Sequence, residues 1–302
     1  MSRREVKDLA ASVHARLFNL SRERRDDFKF LLTRYSVERL LYRLSKSEHR
    51  ERVALKGAML FFVWTQKPYR PTRDVDFLGY GDSSADEWRK IFKSVCSVQV
   101  EPDGLIFDPE SLSIEEIRER QEYGGQRIRL KVKLGRARID VQVDVGFGDA
   151  VTPKPKTINF PTLLDMPSPI IKAYPQETFI AEKLHTMVVH GIANGRMNDY
   201  YDLWYLASNF SFDGDQLSQA IKNTFQCRKT EIPAGELAGL SDEYTSTHEA
   251  NWKAFLGRNK LDVGGVSLQS AVEISRGFLL PPMNAAALKT EFSRKWRDGK
   301  WI

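Results

Sequence analysis

The chain has 302 residues, and its 46 Lys and Arg against 40 Asp and Glu give a formal net charge of +6 with a pI near 9.2. That length predicts about two domains, or one with large helical additions, and the basic balance permits contact with nucleic acid or nucleotide phosphates without requiring it. Two cysteines outside any CxxC pair exclude zinc-ribbon and thioredoxin chemistry, the polar start excludes a secretory signal, and no apolar run nears the roughly 18 residues that span a bilayer, so a soluble cytoplasmic protein is expected.

Apolar residues at helical spacing predict a helix over 5–20 (Val6, Ala10, Val13, Leu17) and another over 26–45 (Phe28, Leu31, Leu32, Tyr35, Leu41), with Asp26 and Asp27 at its positive end. The many arginines of this leader read most simply as a solvated face. Residues 53–55 form a short strand, 57–64 a helix and 73–78 a strand. Gly79, Gly81, Asp82 and Ser83 mark a loop, and Ser84-Ala85-Asp86-Glu87 starts a helix that continues over 88–96. Residues 98–100, 105–107 and 112–114 are short strand candidates. Residues 126–134 alternate polar and apolar, Gly135-Arg136 turns, and 137–145 alternates again, which predicts a β-hairpin. Its second strand carries Ile139, Val141, Val143 and Val145 on one face and Arg138, Asp140, Gln142 and Asp144 on the other. A Pro-rich stretch, 148–175, reads as irregular, and helices follow over 176–190, 200–210, 214–224 and 248–257, with a last one near 284–297. The expected division is 1–150 for the leader and sheet core, 151–175 for a connector and 176–302 for a helical lobe.

The chemistry gathers on Thr72-Arg73-Asp74-Val75-Asp76-Phe77. In a strand, Asp74 and Asp76 project to one face while Val75 and Phe77 pack. Carboxylates held that close repel unless a cation lies between them. A divalent metal shared with substrate phosphates is the usual solution. If the strand bearing Asp140 and Asp144 pairs beside this one, either could supply a third carboxylate. Asp144 lies at the strand end, where sites gather on a sheet's rim, whereas an exposed face is the plainer reading of Asp140. Lys183 lies between apolar residues of the 176–190 helix. Beside a carboxylate–metal centre it would meet triphosphate, although a Lys on a helix flank more often snorkels to solvent. Asn198 or Asp199 would cap the next helix, Asp199 and Asp202 share its face, and Arg196 could hold phosphate or pair with either Asp. His185 and His190 are spaced as ordinary helix residues.

Together, Leu55-Lys56-Gly57-Ala58-Met59-Leu60, Arg70-Pro71-Thr72-Arg73-Asp74-Val75-Asp76, Gln142-Val143-Asp144-Val145-Gly146-Phe147-Gly148-Asp149, Glu177 to Leu184 and Asp199-Tyr200-Tyr201-Asp202-Leu203 stand in a characteristic order. The chain resembles the AbiEii/AbiGii-type nucleotidyltransferase toxins of type IV toxin–antitoxin and abortive-infection phage-defence systems. The resemblance runs from the N-terminal helices through at least residue 210, and the last stretch of the chain matches only in helical character. It implies an α+β fold: a nucleotidyltransferase-like mixed sheet core flanked by helices, with a helical C-terminal lobe. It also implies Mg²⁺-dependent transfer of a nucleotide from an NTP to RNA, with tRNA the expected acceptor, and a cognate antitoxin encoded nearby. Carried onto this chain, it makes Asp74 and Asp76 metal ligands and Asp144 the third carboxylate. Lys183 would contact the triphosphate, Asp199 would be the carboxylate of the helical lobe, and Lys56 and Gly57 a phosphate-facing turn. Arg73, Arg196 and Asp202 would complete the nucleotide-binding set.

One departure is visible. The superfamily carries Gly-Ser before the carboxylate strand, and here it is Gly57-Ala58. The hydroxyl for a phosphate oxygen is absent, leaving backbone N–H groups and Lys56 for that task. Two other readings follow: a catalytically silent RNA- or partner-binding protein on this scaffold, or a nucleotidyltransferase with a protein or small-molecule acceptor.

Overall fold

The computed structural model describes residues 8–65, 72, 74–117 and 124–302. Arg70 and Arg73 lie outside the described residues. The chain divides into two compact units, Met1–Gly148 with Lys156–Ala173 and Asp149–Pro155 with Tyr174–Ile302.

In the first unit, helices α1 (Leu9–Arg24) and α2 (Phe28–Lys46) begin on Asp8 and Asp27, whose carboxylates accept from the Ala11 and Phe30 N–H groups. The arginines of α2 are not a solvated face: Arg34, Arg39 and Arg43 are buried. The cause is a buried partner. Asp103 receives the Arg43 guanidinium as a fork at 2.6 and 3.1 Å and Arg39 Nε at 3.4 Å, which is how charge survives burial. Glu38, fully buried alongside, accepts from the Leu163 N–H at 2.7 Å.

After α2 come β1 (Val53–Lys56), a 3-10 turn over Gly57–Met59, α3 (Leu60–Thr65), β2 (Val75–Gly79) and α4 (Ala85–Ser97). Ser84 caps α4. Residues 98–100 form no strand, because Val98 closes the helix by bonding back to the Val95 carbonyl. The candidates at 105–107 and 112–114 are one strand, β3 (Leu105–Ile117), broken in register between Asp108 and Ser113. The predicted hairpin is present as β4 (Gly125–Leu134) and β5 (Ala137–Phe147), with Leu134 opposite Ala137.

The Pro-rich stretch is not only irregular. It contains β6 (Lys156–Asn159) and β7 (Ile170–Ala173), which pair with each other and join β7 to β1. Its prolines lie outside both strands, where missing N–H groups cost no ladder bond. The resulting seven-stranded mixed sheet runs β3-β4-β5-β2-β1-β7-β6. Its apolar face includes Ile139, Val141, Val143 and Val145, all buried, and α2 packs on β5 and β7 while α4 packs on β3. On the opposite face of β5, Arg138 and Asp140 are exposed and Gln142 and Asp144 half-buried.

The second unit is mainly helical: α5 (Gln176–His190), α6 (Met197–Asn209), α7 (Gly214–Cys227), α8 (Asp242–Asn259) and α9 (Leu268–Leu288). The expected helix near 284–297 is replaced. Helix α9 stops at Leu288, and β9 (Lys295–Arg297) and β10 (Lys300–Trp301) turn at Asp298-Gly299, both at positive φ, and join β8 (Phe212–Asp213). Trp296 and Trp301 pack with Phe278 of α9, and Trp296 Nε1 donates to the Ala207 carbonyl at 2.7 Å. No helix among the described residues is long and apolar enough to cross a membrane.

Candidate active site

In the first unit, four neighbouring strands bring four charges into one row. Arg127 of β4 is opposite Asp144 of β5, Asp144 is the partner of Asp76 in β2, and Asp76 is the partner of Lys56 in β1. Paired residues share a face, and adjacent strands stand about 4.8 Å apart. The order across the sheet is therefore cation, carboxylate, carboxylate, cation. Val75 and Phe77 are buried on the other side. Asp74 precedes β2 and is exposed.

Asp140 stands opposite Lys131, and the β2–β5 pairing starts only at Val75 and Val143, so this residue has no partner on β2.

Asp144 is held by a two-pronged fork: Arg127 Nε to Oδ1 at 2.8 Å and Nη2 to Oδ2 at 2.6 Å. The guanidinium is held above its ordinary value, first by that hydrogen bond and then by the charges of Asp144, Asp74 and Glu115, against a loss of hydration. At the other end, the Lys56 ammonium lies over Gly146. A Cβ on Gly146 would stand 3.3 Å from Nζ.

Gly57 sits at φ +71, and a Cβ there would fall 2.0 Å from Asp76 Oδ2. Only glycine lets this turn approach the carboxylate so closely. The helix that follows is shorter than the sequence predicts. Six residues of α3 behind a 3-10 turn give little of the dipole that phosphate binding at a helix start needs.

Among the described residues, no group of three or more His, Cys, Asp or Glu is assembled to hold a metal by itself. Mg²⁺ does not ask for such a cage: one or two carboxylates suffice, with water and substrate phosphates completing the shell. Asp76 and Asp144, hard oxygen donors on adjacent strands, supply that number.

In the second unit, Lys183 of α5 does not snorkel. Its ammonium is inserted between two carboxylates of α6, bonding Asp199 Oδ1 and reaching Asp202 Oδ2 at 3.0 Å. Asp199 and Asp202 are buried, and the aromatic ring of Phe179 lies 4.6 Å from the same ammonium. Neither Asn198 nor Asp199 caps α6. The helix begins at Met197, leaving Asp199 in its first turn, where Arg196 Nε meets Oδ2 at 2.7 Å and Asn198 Nδ2 meets Oδ1 at 3.1 Å.

Sequence reasoning passed over two arginines with carboxylate partners, Arg127 in the row and Arg228 outside both clusters. Arg127 was legible in principle, because counting outward from the Gly135-Arg136 turn pairs it with Asp144. Arg228 was not: its Nη2 reaches Asp149 at 3.3 Å and Glu182 at 3.5 Å, and Nη1 faces His185 Nδ1 at 3.3 Å. Burial, and then the Arg228 charge, push the His185 imidazole down to about 4. It is therefore neutral at pH 7, with Nε2 bonded to the Thr230 hydroxyl. Neither Cys96 nor Cys227 forms a disulfide with a described residue, and burial raises the Cys96 thiol to about 11.

The sequence matches, over residues 39–271, the family described as the nucleotidyl transferase AbiEii toxin of type IV toxin–antitoxin systems. That span is most of the chain. The protein belongs to this family. It is an AbiEii nucleotidyltransferase, and its α+β fold has the mixed sheet and flanking helices that the resemblance implies. The AbiEii family is one of toxins with a nucleotide substrate and a cognate antitoxin. Among solved structures, a Helicobacter pylori protein described as a candidate nucleotidyltransferase is 16% identical, with 84% of this chain and 94% of that one covered and a TM-score of 0.46. JHP933 from Helicobacter pylori is also 16% identical, with 83% and 90% covered and a TM-score of 0.45. Likenesses this distant carry no information on chemistry. A comparison with curated proteins found no match.

Proposed function

We propose that this AbiEii nucleotidyltransferase moves a nucleotide from an NTP to an RNA acceptor, tRNA in the first instance, and so inhibits growth from the cytoplasm as a toxin or phage-defence device. The observation that carries the reading is the Asp76–Asp144 pair on adjacent strands of one sheet face. The RNA acceptor rests on the resemblance and is compatible with the net charge of +6.

Asp76 and Asp144 would hold Mg²⁺, with Asp74 beside them at the head of β2. When bound, the ion neutralises phosphate charge and favours attack by an acceptor hydroxyl. The Asp76 carboxylate occupies the space that a side chain at position 57 would fill. Lys56, leaning over Gly146, offers an ammonium to phosphate and takes up part of the task of the missing Ser hydroxyl. In the helical unit, Lys183 is the proposed triphosphate contact, with Asp199 and Asp202 holding its ammonium in place. Arg196 and, outside the described residues, Arg73 are the remaining proposed phosphate contacts.

The test is purified protein with Mg²⁺, each labelled NTP in turn and total tRNA, beside an Asp74→Ala/Asp76→Ala variant. Label on RNA with the parent alone is the expected result and names the nucleotide. Label on a protein or small molecule instead moves the acceptor, and label that persists in the variant sinks the site.

A further inference from the structure

Two carboxylates side by side need a cation, and this chain already supplies two. Arg127 and Lys56 flank the Asp144–Asp76 pair, so the four-residue row is formally neutral before any metal arrives. Arg127 is the more committed of the flanking pair, since its fork occupies both oxygens of Asp144. A divalent cation on Asp144 must either displace the fork from one oxygen or share that oxygen's second lone pair, close against the guanidinium charge. The ion's charge then adds two to a neutral row, which a triphosphate, with about four negative charges, would more than offset.

We propose that Arg127 is a positioning residue that competes with the divalent cation for Asp144, so that metal is held weakly alone and well only together with NTP. This rests on the metal-site reading given above. The arginine acts as a resident counter-ion: its fork orients the carboxylate and withholds the site from free cation. Bidentate geometry gives the guanidinium a grip that a Lys ammonium lacks. The Arg127 side chain is 34% exposed and the Asp144 side chain 20%, so the fork has solvent room to open on one side.

Mn²⁺ binding to the full chain without NTP, followed by electron paramagnetic resonance, tests this without any turnover. Arg127→Ala is expected to bind Mn²⁺ about tenfold more tightly than the parent, because a positive charge next to the ion is removed. Arg127→Lys is expected to fall between them, keeping the charge and losing the fork. Asp76→Asn is expected to lose binding in every background. Binding by Arg127→Ala equal to or weaker than the parent, with Asp76→Asn still inactive in binding, overturns the competition and leaves the metal site standing. Binding unaffected by Asp76→Asn overturns the metal site itself, and so does an absence of binding in all variants. The thermal midpoint of Arg127→Ala is expected to stay within about 2 °C of the parent, since a partly exposed pair contributes little to stability.

Discussion

A Cβ at position 57 would stand 2.0 Å from Asp76 Oδ2 on a backbone already at φ +71. Gly57→Ala is therefore expected to cost about 1–3 kcal/mol of stability and to displace the Asp76 carboxylate. Urea unfolding checks the first effect and loss of nucleotide transfer the second; a variant as stable and active as the parent would contradict the close approach. In the helical unit, Asp202 is fully buried against Lys183. Asp202→Ala leaves an ammonium short of one partner in a buried setting, with an expected loss of about 3 kcal/mol, read from the shift in unfolding midpoint. Glu38 gives a pH prediction. Burial raises its carboxyl from 4.5 to about 7, against the opposing pull of the Leu163 N–H, Arg39 and Arg34. The folded state thus binds this proton more tightly than the unfolded chain does. The resulting stability is full below about pH 4.5 and is lost as pH rises through 7. Glu38→Gln keeps an acceptor for Leu163 and has no proton to lose. Its stability relative to the parent is expected to improve between pH 5 and 8, and a flat difference would exclude the shift.

Elements differed in how openly the sequence displayed them. The β4–β5 hairpin was legible because alternation and a Gly turn fix register as well as existence. Register, in turn, is what puts Asp144 rather than Asp140 beside Asp76. The pairing of β5 with β2 was not legible, since parallel strands far apart in sequence leave no local mark. Strands β6 and β7 were hidden by flanking prolines, which speak of loops and say nothing of the short runs between them. The β9–β10 turn did carry a signal: Asp298-Gly299 between Lys-Trp repeats favours a tight hairpin. Buried Arg39 and Arg43 were misread because a carboxylate 60 residues away, Asp103, decides their burial. Lys183 was ambiguous for the same reason, its partners lying on the next helix. A prediction follows from β7. A fragment ending at residue 150, the boundary expected from sequence, lacks both strands beyond β1 and leaves that edge unpaired. It is expected to aggregate, whereas one ending at residue 173 stays monomeric in size-exclusion chromatography. Equal behaviour of the two would show that β7 adds nothing.

At the scale of the molecule, charge and connectivity matter more than any one contact. With a net charge of +6, binding to an RNA acceptor is expected to weaken about tenfold or more between 50 and 200 mM salt. Filter binding across that range checks it, and salt-independent retention would show that contacts to the phosphates do not carry the binding. The chain leaves the sheet unit after Gly148, contributes Asp149–Pro155 to the helical unit, and returns as Lys156–Ala173 before leaving again. That itinerary has a consequence in time. At about 5–20 residues per second, the ribosome takes roughly one to five seconds to make the stretch from Gly148 to Ala173. Throughout that interval the nascent chain already contains every strand of the charged row, yet β1 has an open side. An enzyme built this way is born with its sheet incomplete, and the segment that completes it is made only after Asp149–Pro155, a stretch whose own partners in the helical unit have yet to be synthesised.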